Sequence, residues 1–195
     1  MNDPIALHEK AAENLRFIRD TMERAGSFTA VPGWGGVLMG VSALPAAWFA
    51  AQARGNARAW LTVWLIELVV ALVLGWAAML YKAKRYSVPL FSGVGRKFAL
   101  SLSPSLVVGA LLTAALTRWG VAFSLPGVWM LLYGAGVATG GAFSVRIVPL
   151  TGVFFMAAGA VTLFLPTAWG DAAMAATFGG LHIIFGWMIA RKHGG

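Results

Sequence analysis

The chain has no cysteine, and it carries few charged residues for its length. Because there is no thiol, disulfides, thiolate metal sites and iron–sulfur clusters are excluded. Charged residues make up 11% of the 195 residues, whereas a soluble domain carries about 25%. Hydrophobic residues make up 59%. The side chains that would form a solvated surface are therefore missing, which indicates a membrane protein.

Acidic residues are scarce and unevenly distributed. After the first 23 residues only Glu67 and Asp171 remain. Lysine and arginine occupy the short links between apolar runs, unlike the clustered basic surface of a DNA-binding protein. The formal charge of +8 therefore predicts no nucleic-acid partner. The acids of the first 23 residues are Asp3, Glu9, Glu13, Asp20 and Glu23.

Six long apolar runs predict six transmembrane helices, because a helix needs about 20 apolar residues to cross a bilayer core of about 30 Å. Continuous apolar runs, unlike alternating ones, exclude a β-barrel. The sequence therefore predicts an all-α integral membrane protein. Residues 27–195 are expected to form a bundle of six transmembrane helices in the lipid bilayer, after a cytoplasmic amphipathic helix over residues 1–26. The predicted spans are 33–53, 59–81, 98–117, 121–143, 147–167 and 172–190.

The basic residues predict the orientation of the bundle. With the N-terminus in the cytoplasm, Arg54, Arg58 and Arg118 fall outside, and the other twelve basic residues fall inside. An excess of lysine and arginine marks cytoplasmic links, so both termini are expected in the cytoplasm. Basic residues of the longest internal link are candidates for contact with anionic lipid headgroups. They are Lys82, Lys84, Arg85, Arg96 and Lys97.

The first 26 residues have the pattern of a separate amphipathic helix. Asp3-Pro4 is a favourable helix start, and Gly26 is a plausible stop. Charges of both signs cover the other faces, whereas a helix that binds anionic lipid is rich in lysine and arginine. We therefore expect this helix to dock on protein: its own bundle, a second copy of the chain or a partner. The apolar stripe comprises Leu7, Ala11, Leu15, Ile18, Met22 and Ala25.

Motifs of conventional enzymes are absent from the sequence. It contains no Gly-x-Ser-x-Gly and no His-Glu-x-x-His. Two of the three histidines, His8 and His193, lie in terminal segments, so one chain cannot build a multi-histidine metal centre in the membrane. The protein is therefore predicted not to be an enzyme, with no catalytic residues, no metal and no cofactor.

Glu67 and His182 are ionisable residues inside predicted spans. Both share a helical stripe with small residues, which line helix–helix contacts in membranes. Intramembrane ionisable residues are rare and usually paired or functional. One hypothesis is a hydrogen-bonded Glu67–His182 pair that exchanges a proton. The other is a static polar contact that fixes helix packing, with Glu67 neutral and His182 bonded to a backbone carbonyl. Haem or quinone binding at His182 is a third alternative, and haem would need a second axial ligand from another copy.

Glycines at helical spacing predict close helix contacts. Gly36 with Gly40, and Gly136 with Gly140, have the spacing that lets two membrane helices approach. Gly179 and Gly186 lie on the same stripe as His182. These glycines could serve a dimer or the internal bundle, and the internal bundle is the preferred interpretation.

Three segments carry a resemblance: "LRFIRDTMERAGSFTAVPGWGG", "LLYGAGVATGGAFSVR" and "GGLHIIFGWMIARKHGG". They are similar to a group of six-helix bacterial inner-membrane proteins to which no activity is assigned. The resemblance implies a multi-pass protein of the bacterial inner membrane, and it carries over no functional residue.

Two classes of function fit these observations. The first is a non-catalytic membrane subunit or regulatory protein that binds a partner, or a second copy, through its N-terminal helix. The alternative is a small proton-linked carrier with a midplane site at Glu67 and His182. The small extramembrane links and the scarcity of polar lining favour the first.

Overall fold

The computed structural model of the chain describes residues 13–18, 28–86, 90 and 93–193. Within them lie six helices that are long and apolar enough to span a membrane, as the sequence predicts. They are α1 (Gly33–Gln52), α2 (Ala57–Tyr86), α3 (Gly93–Arg118), α4 (Leu125–Gly141), α5 (Ile147–Phe164) and α6 (Thr167–His193). A 3₁₀ turn at Ala122–Ser124 precedes α4.

Several helices are longer than the spans predicted from apolar runs. The sequence places the second and third spans at 59–81 and 98–117, whereas α2 and α3 continue past these limits into the basic link. Lysine and arginine are good helix formers, so the backbone hydrogen bonds continue beyond the apolar stretch. Charge marks the end of a span but not the end of its helix.

The predicted N-terminal helix over residues 1–26 falls mostly outside the described residues. Residues 13–18 are described, and they are helical. Leu15 and Ile18 of the predicted apolar stripe are 67% and 52% exposed.

Helix α1 approaches α6 closely through small residues. A methyl group added at Gly40 would lie 2.5 Å from the carbonyl oxygen of Gly179. One added at Gly36 would lie 3.2 Å from the Cα atom of Gly186. These glycines therefore serve contacts within one chain, with main chain packed against main chain.

Helix α4 uses glycine on two faces. Gly136 and Gly140 face Leu102 and Phe98 of α3. On another face, a methyl group added at Gly134 would lie 2.6 Å from the carbonyl oxygen of Gly152 in α5. Glycines of α4 thus allow both α3 and α5 to pack closely against it.

The helices pack so that α1 contacts α2 and α6, while α4 contacts α3 and α5. Helix α6 also contacts α4 and α5, which joins the two groups. The chain alternates direction, so two ends of the bundle can be defined. The basic end contains Lys82, Arg96, Arg146 and Arg191, and the Asp171 end contains the links around Arg54 and Asp171.

Replacing Gly40 with alanine tests the α1–α6 contact. Gly40→Ala should lower the free energy of unfolding by about 1–3 kcal/mol, because the methyl group meets main chain that cannot move aside. Gly109→Ala is the matched control, since its methyl group would find ordinary contact at 3.7 Å. Chemical unfolding in detergent measures both. Equal stability of the two variants would contradict this packing.

Candidate functional site

Glu67 lies on α2 and faces α1. Its Oε1 atom is 2.8 Å from Ser42 Oγ on α1. The stripe of small residues that includes Glu67 also packs on α1, since Gly75 meets Met39 and Ala78 meets Gly35. Among the described residues Glu67 has no cationic partner. The carboxyl group is thus half-buried at the edge of the α1–α2 contact.

His182 lies on α6 and uses both ring nitrogens. Nδ1 is 3.0 Å from the carbonyl oxygen of Phe178, and Nε2 is 2.7 Å from the hydroxyl of Tyr133 on α4. A carbonyl oxygen accepts and cannot donate, so we assign the proton to Nδ1. Nε2 then accepts a hydrogen bond from the Tyr133 hydroxyl. This arrangement gives both nitrogens of a neutral imidazole a hydrogen-bond partner.

Aromatic rings enclose the histidine. Ring centroids of Phe155, Tyr133 and Phe178 lie 5.2, 5.4 and 6.0 Å from that of His182. Just before the histidine, α6 widens into a π-helix over Ala175–Leu181. Such widenings are uncommon and often occur at functional sites. Here the π-helix ends immediately before His182, the residue through which α6 contacts Tyr133 and Phe155.

The structure does not bring Glu67 and His182 together in a hydrogen bond. Glu67 bonds Ser42, and the histidine bonds Tyr133 and Phe178. Helix α1 packs against both α2 and α6, and it uses different faces for the two contacts. The predicted pair is therefore replaced by two sites in separate helix contacts. Sequence depth alone could not show that α1 lies between them.

The haem or quinone alternative meets a specific obstacle at His182. An axial ligand must offer a free ring nitrogen to the iron. In this fold Tyr133 holds Nε2 and the main chain holds Nδ1. A ligand at this histidine would first have to displace the tyrosine hydroxyl.

Asp171 is the centre of a third polar site, at the Asp171 end of the bundle. It is 5% exposed. Arg54 Nε donates to Oδ2 at 2.9 Å, and the indole nitrogen of Trp60 donates to Oδ1 at 2.7 Å. One carboxylate therefore joins the α1–α2 link, α2 and α6.

The same network continues into the neighbouring helices through aromatic contacts. Trp60 stacks on Trp129 of α4, with ring centroids 5.6 Å apart. The indole nitrogen of Trp129 donates to Thr113 Oγ1 on α3 at 2.7 Å. Four helices, α2, α3, α4 and α6, and the α1–α2 link are thereby connected at this end. The network is chemically suited to hold these helices together at this end of the bundle.

The five basic residues proposed for lipid headgroups divide into two kinds. Lys84, Arg85, Arg96 and Lys97 are exposed at the basic end. Lys82 departs from the expectation, because it is 2% exposed and its Nζ donates to the carbonyl oxygen of Val31 at 2.9 Å. It anchors the segment that precedes α1.

Sequence reasoning missed Tyr133 and undervalued Asp171. A signal for Tyr133 was available, because it is the tyrosine in the middle of an apolar span, whereas Tyr81 and Tyr86 lie near the basic link. Asp171 fell just outside the predicted sixth span, which begins at residue 172, and no role was assigned to it. Its burial depends on contacts with Arg54 and Trp60, which are far away in the chain.

No protein-family model matches this chain, and searches of curated proteins and of solved structures found no match either. Its function is therefore inferred from the geometry of its own residues.

Asp171→Ala should destabilise the fold more than Arg54→Gln. The alanine leaves the buried Trp60 indole without an acceptor, at a cost of about 1–3 kcal/mol. Arg54 is half exposed, so loss of its ion pair should cost less than about 1 kcal/mol. Asp171→Asn retains the oxygen that accepts from Trp60, so its loss in the free energy of unfolding should lie between those of the other two variants. Chemical unfolding in detergent gives the order. Equal losses for the arginine and alanine variants would contradict the central role of the indole bond.

Proposed function

We propose that this protein is a non-catalytic membrane subunit or regulatory protein that binds a protein partner, or a second copy of itself, through its N-terminal helix. The observation that carries the proposal is the way the chain enters the bundle. The segment before α1 is buried and is held by three other parts of the fold. The chain is therefore held in place where it enters the bundle at Phe28.

The contacts of this segment are specific. Phe28 is 4% exposed, and its main-chain N–H donates to the carbonyl oxygen of Phe143 at 2.7 Å. Ser144 Oγ donates to the carbonyl oxygen of Phe28 at 2.6 Å. The Phe28 ring packs on Phe98 of α3, at a centroid distance of 5.0 Å. Together with the Lys82 bond to Val31, these contacts tie the segment to α2, α3 and the α4–α5 link.

The exposed apolar side chains of residues 13–18 supply the other half of the argument. Leu15 and Ile18 recur at helical spacing, and more than half of each is exposed. Exposed apolar side chains on one stripe of a helix are typical of a surface that packs against another protein. The exposed apolar stripe is therefore available to a binding partner.

The interior polar groups support a structural role for the bundle. Each of the three sites bonds residues of neighbouring helices: Ser42 to Glu67, Tyr133 to His182, and Trp60 to Asp171. Polar contacts of this kind hold membrane helices together. The carrier alternative would need its site to be built from Glu67 and His182 jointly, which the geometry does not supply.

We propose that the basic end faces the bacterial cytoplasm, in the inner membrane. Single cysteines in this cysteine-free chain test the orientation, at glycines with open space around them. In intact cells, a membrane-impermeant maleimide should label Gly55→Cys at the Asp171 end. It should label Gly93→Cys at the basic end only after permeabilisation. The reverse pattern would overturn the orientation.

Photocrosslinking tests the N-terminal helix as a binding element. A photoreactive phenylalanine analogue at Leu15 should give a discrete protein adduct in native membranes, because this position lies on the apolar stripe. The same analogue at Glu13, on the opposite face, is the control and should not. A differently tagged second copy distinguishes self-association from another partner. Adducts confined to lipid, or to the same chain, would contradict the proposal.

A further inference from the structure

We propose that Glu67, Ser42 and the main-chain carbonyl of Met39 form an exchangeable proton-binding site at the edge of the membrane domain. The inference does not depend on the role of the N-terminal helix. It is based on the Ser42 hydroxyl, which lies close to two oxygen atoms. Ser42 Oγ is 2.8 Å from Glu67 Oε1 and 2.9 Å from the Met39 carbonyl oxygen.

A serine hydroxyl has one proton to donate. If Glu67 is ionised, both neighbouring oxygens are acceptors, and Ser42 can satisfy one of them. If Glu67 carries a proton, its O–H donates to Ser42 Oγ, and the serine O–H donates to Met39. The two short contacts are then satisfied together. The geometry therefore accommodates the protonated acid, and in the ionised state Ser42 donates to Glu67 Oε1.

Release of the proton needs no movement of a helix. The Ser42 hydroxyl rotates from the Met39 carbonyl to the carboxylate and donates to it. The Glu67–Ser42 contact persists in both states, with the direction of its hydrogen bond reversed. The carboxylic acid gives its proton to a water molecule and becomes a carboxylate, and the reverse transfer restores the acid.

The surroundings of Glu67 keep this exchange separate from other ionisable groups. Helix α1, which packs against α2 at this site, contains no ionisable side chain from Gly33 to Gln52. Beyond α1, Asp171 of α6 meets α2 at Trp60 and is bound to Arg54. The Tyr133 hydroxyl of α4 and the ring of His182 are bound to each other.

Glu67 is half-buried, so part of its side chain is open at the surface of the bundle. A carboxylate without a cation is costly at this depth, so the protonated acid is the resting form. The proton is exchanged with water at the open side of this carboxyl group.

Labelling with dicyclohexylcarbodiimide tests the site. This apolar reagent adds to protonated carboxylic acids, and mass spectrometry locates the adduct. In the protein reconstituted into phosphatidylcholine vesicles, Glu67 should be labelled at mildly acidic pH and progressively less as the pH rises. Glu67→Gln should lose this adduct. Asp171 is the internal control and should not react, because it is bound to Arg54. No labelling of Glu67, labelling independent of pH, or equal labelling of Asp171 would overturn the proposal.

Infrared spectroscopy of the same samples tests the part played by Ser42. The wild type should show a pH-dependent carbonyl band of a protonated acid that is absent from Glu67→Gln. Ser42→Ala should move this band to higher frequency, because the acid loses its hydrogen-bond partner. Ser103→Ala removes an exposed serine of α3 that bonds only its own helix, and it should leave the band unchanged. A band insensitive to Ser42→Ala would show that the hydroxyl is not part of the site.

Discussion

The close approach of α1 to α6 is the contact on which the other features of this bundle depend. Glycines on one face of α1 bring its main chain against the main chain of α6, near Gly179 and Gly186. A neighbouring face of α1 then receives α2. Because one helix separates the two contacts, the ionisable residues of α2 and α6 acquire different surroundings. The carboxyl group of Glu67 meets a single hydroxyl, and His182 meets a cluster of rings.

The two ends of the bundle are closed by different chemistry. At the Asp171 end, one buried carboxylate orders an arginine and an indole, and stacked tryptophans extend the network to α3 and α4. At the basic end, main-chain carbonyls of the entering segment accept hydrogen bonds from Lys82 and Ser144. Polar interactions are strong where water is scarce. A few such bonds can therefore hold long helices whose other surfaces meet lipid.

The chain enters the bundle at the basic end through a segment whose main chain and side chains are held by other parts of the fold. Here the main-chain N–H and the main-chain carbonyl of Phe28 are both hydrogen-bonded, and its ring packs on α3. The start of α1 is therefore fixed relative to α3 and to the α4–α5 link.

The sequence by itself determined the class of the fold. Apolar runs long enough to cross a bilayer are a local property, and so is the placement of lysine and arginine in the links. The number and order of the six helices therefore follow from local composition. The sequence also marked Glu67 and His182 as unusual, since a titratable residue within an apolar run is visible without a structure.

Only the tertiary structure decided which groups these residues meet. Similar depth in the membrane suggested that Glu67 and His182 form a pair, but depth leaves the rotation and order of the helices undetermined. Those depend on which glycine faces fit together across the chain, a non-local property. The partners Ser42, Tyr133 and Trp60 are far from Glu67, His182 and Asp171 in sequence, and no periodicity within one helix can identify them. The local pattern of apolar residues thus determines the helices, whereas the packing of helix surfaces against each other determines which residues form each polar site.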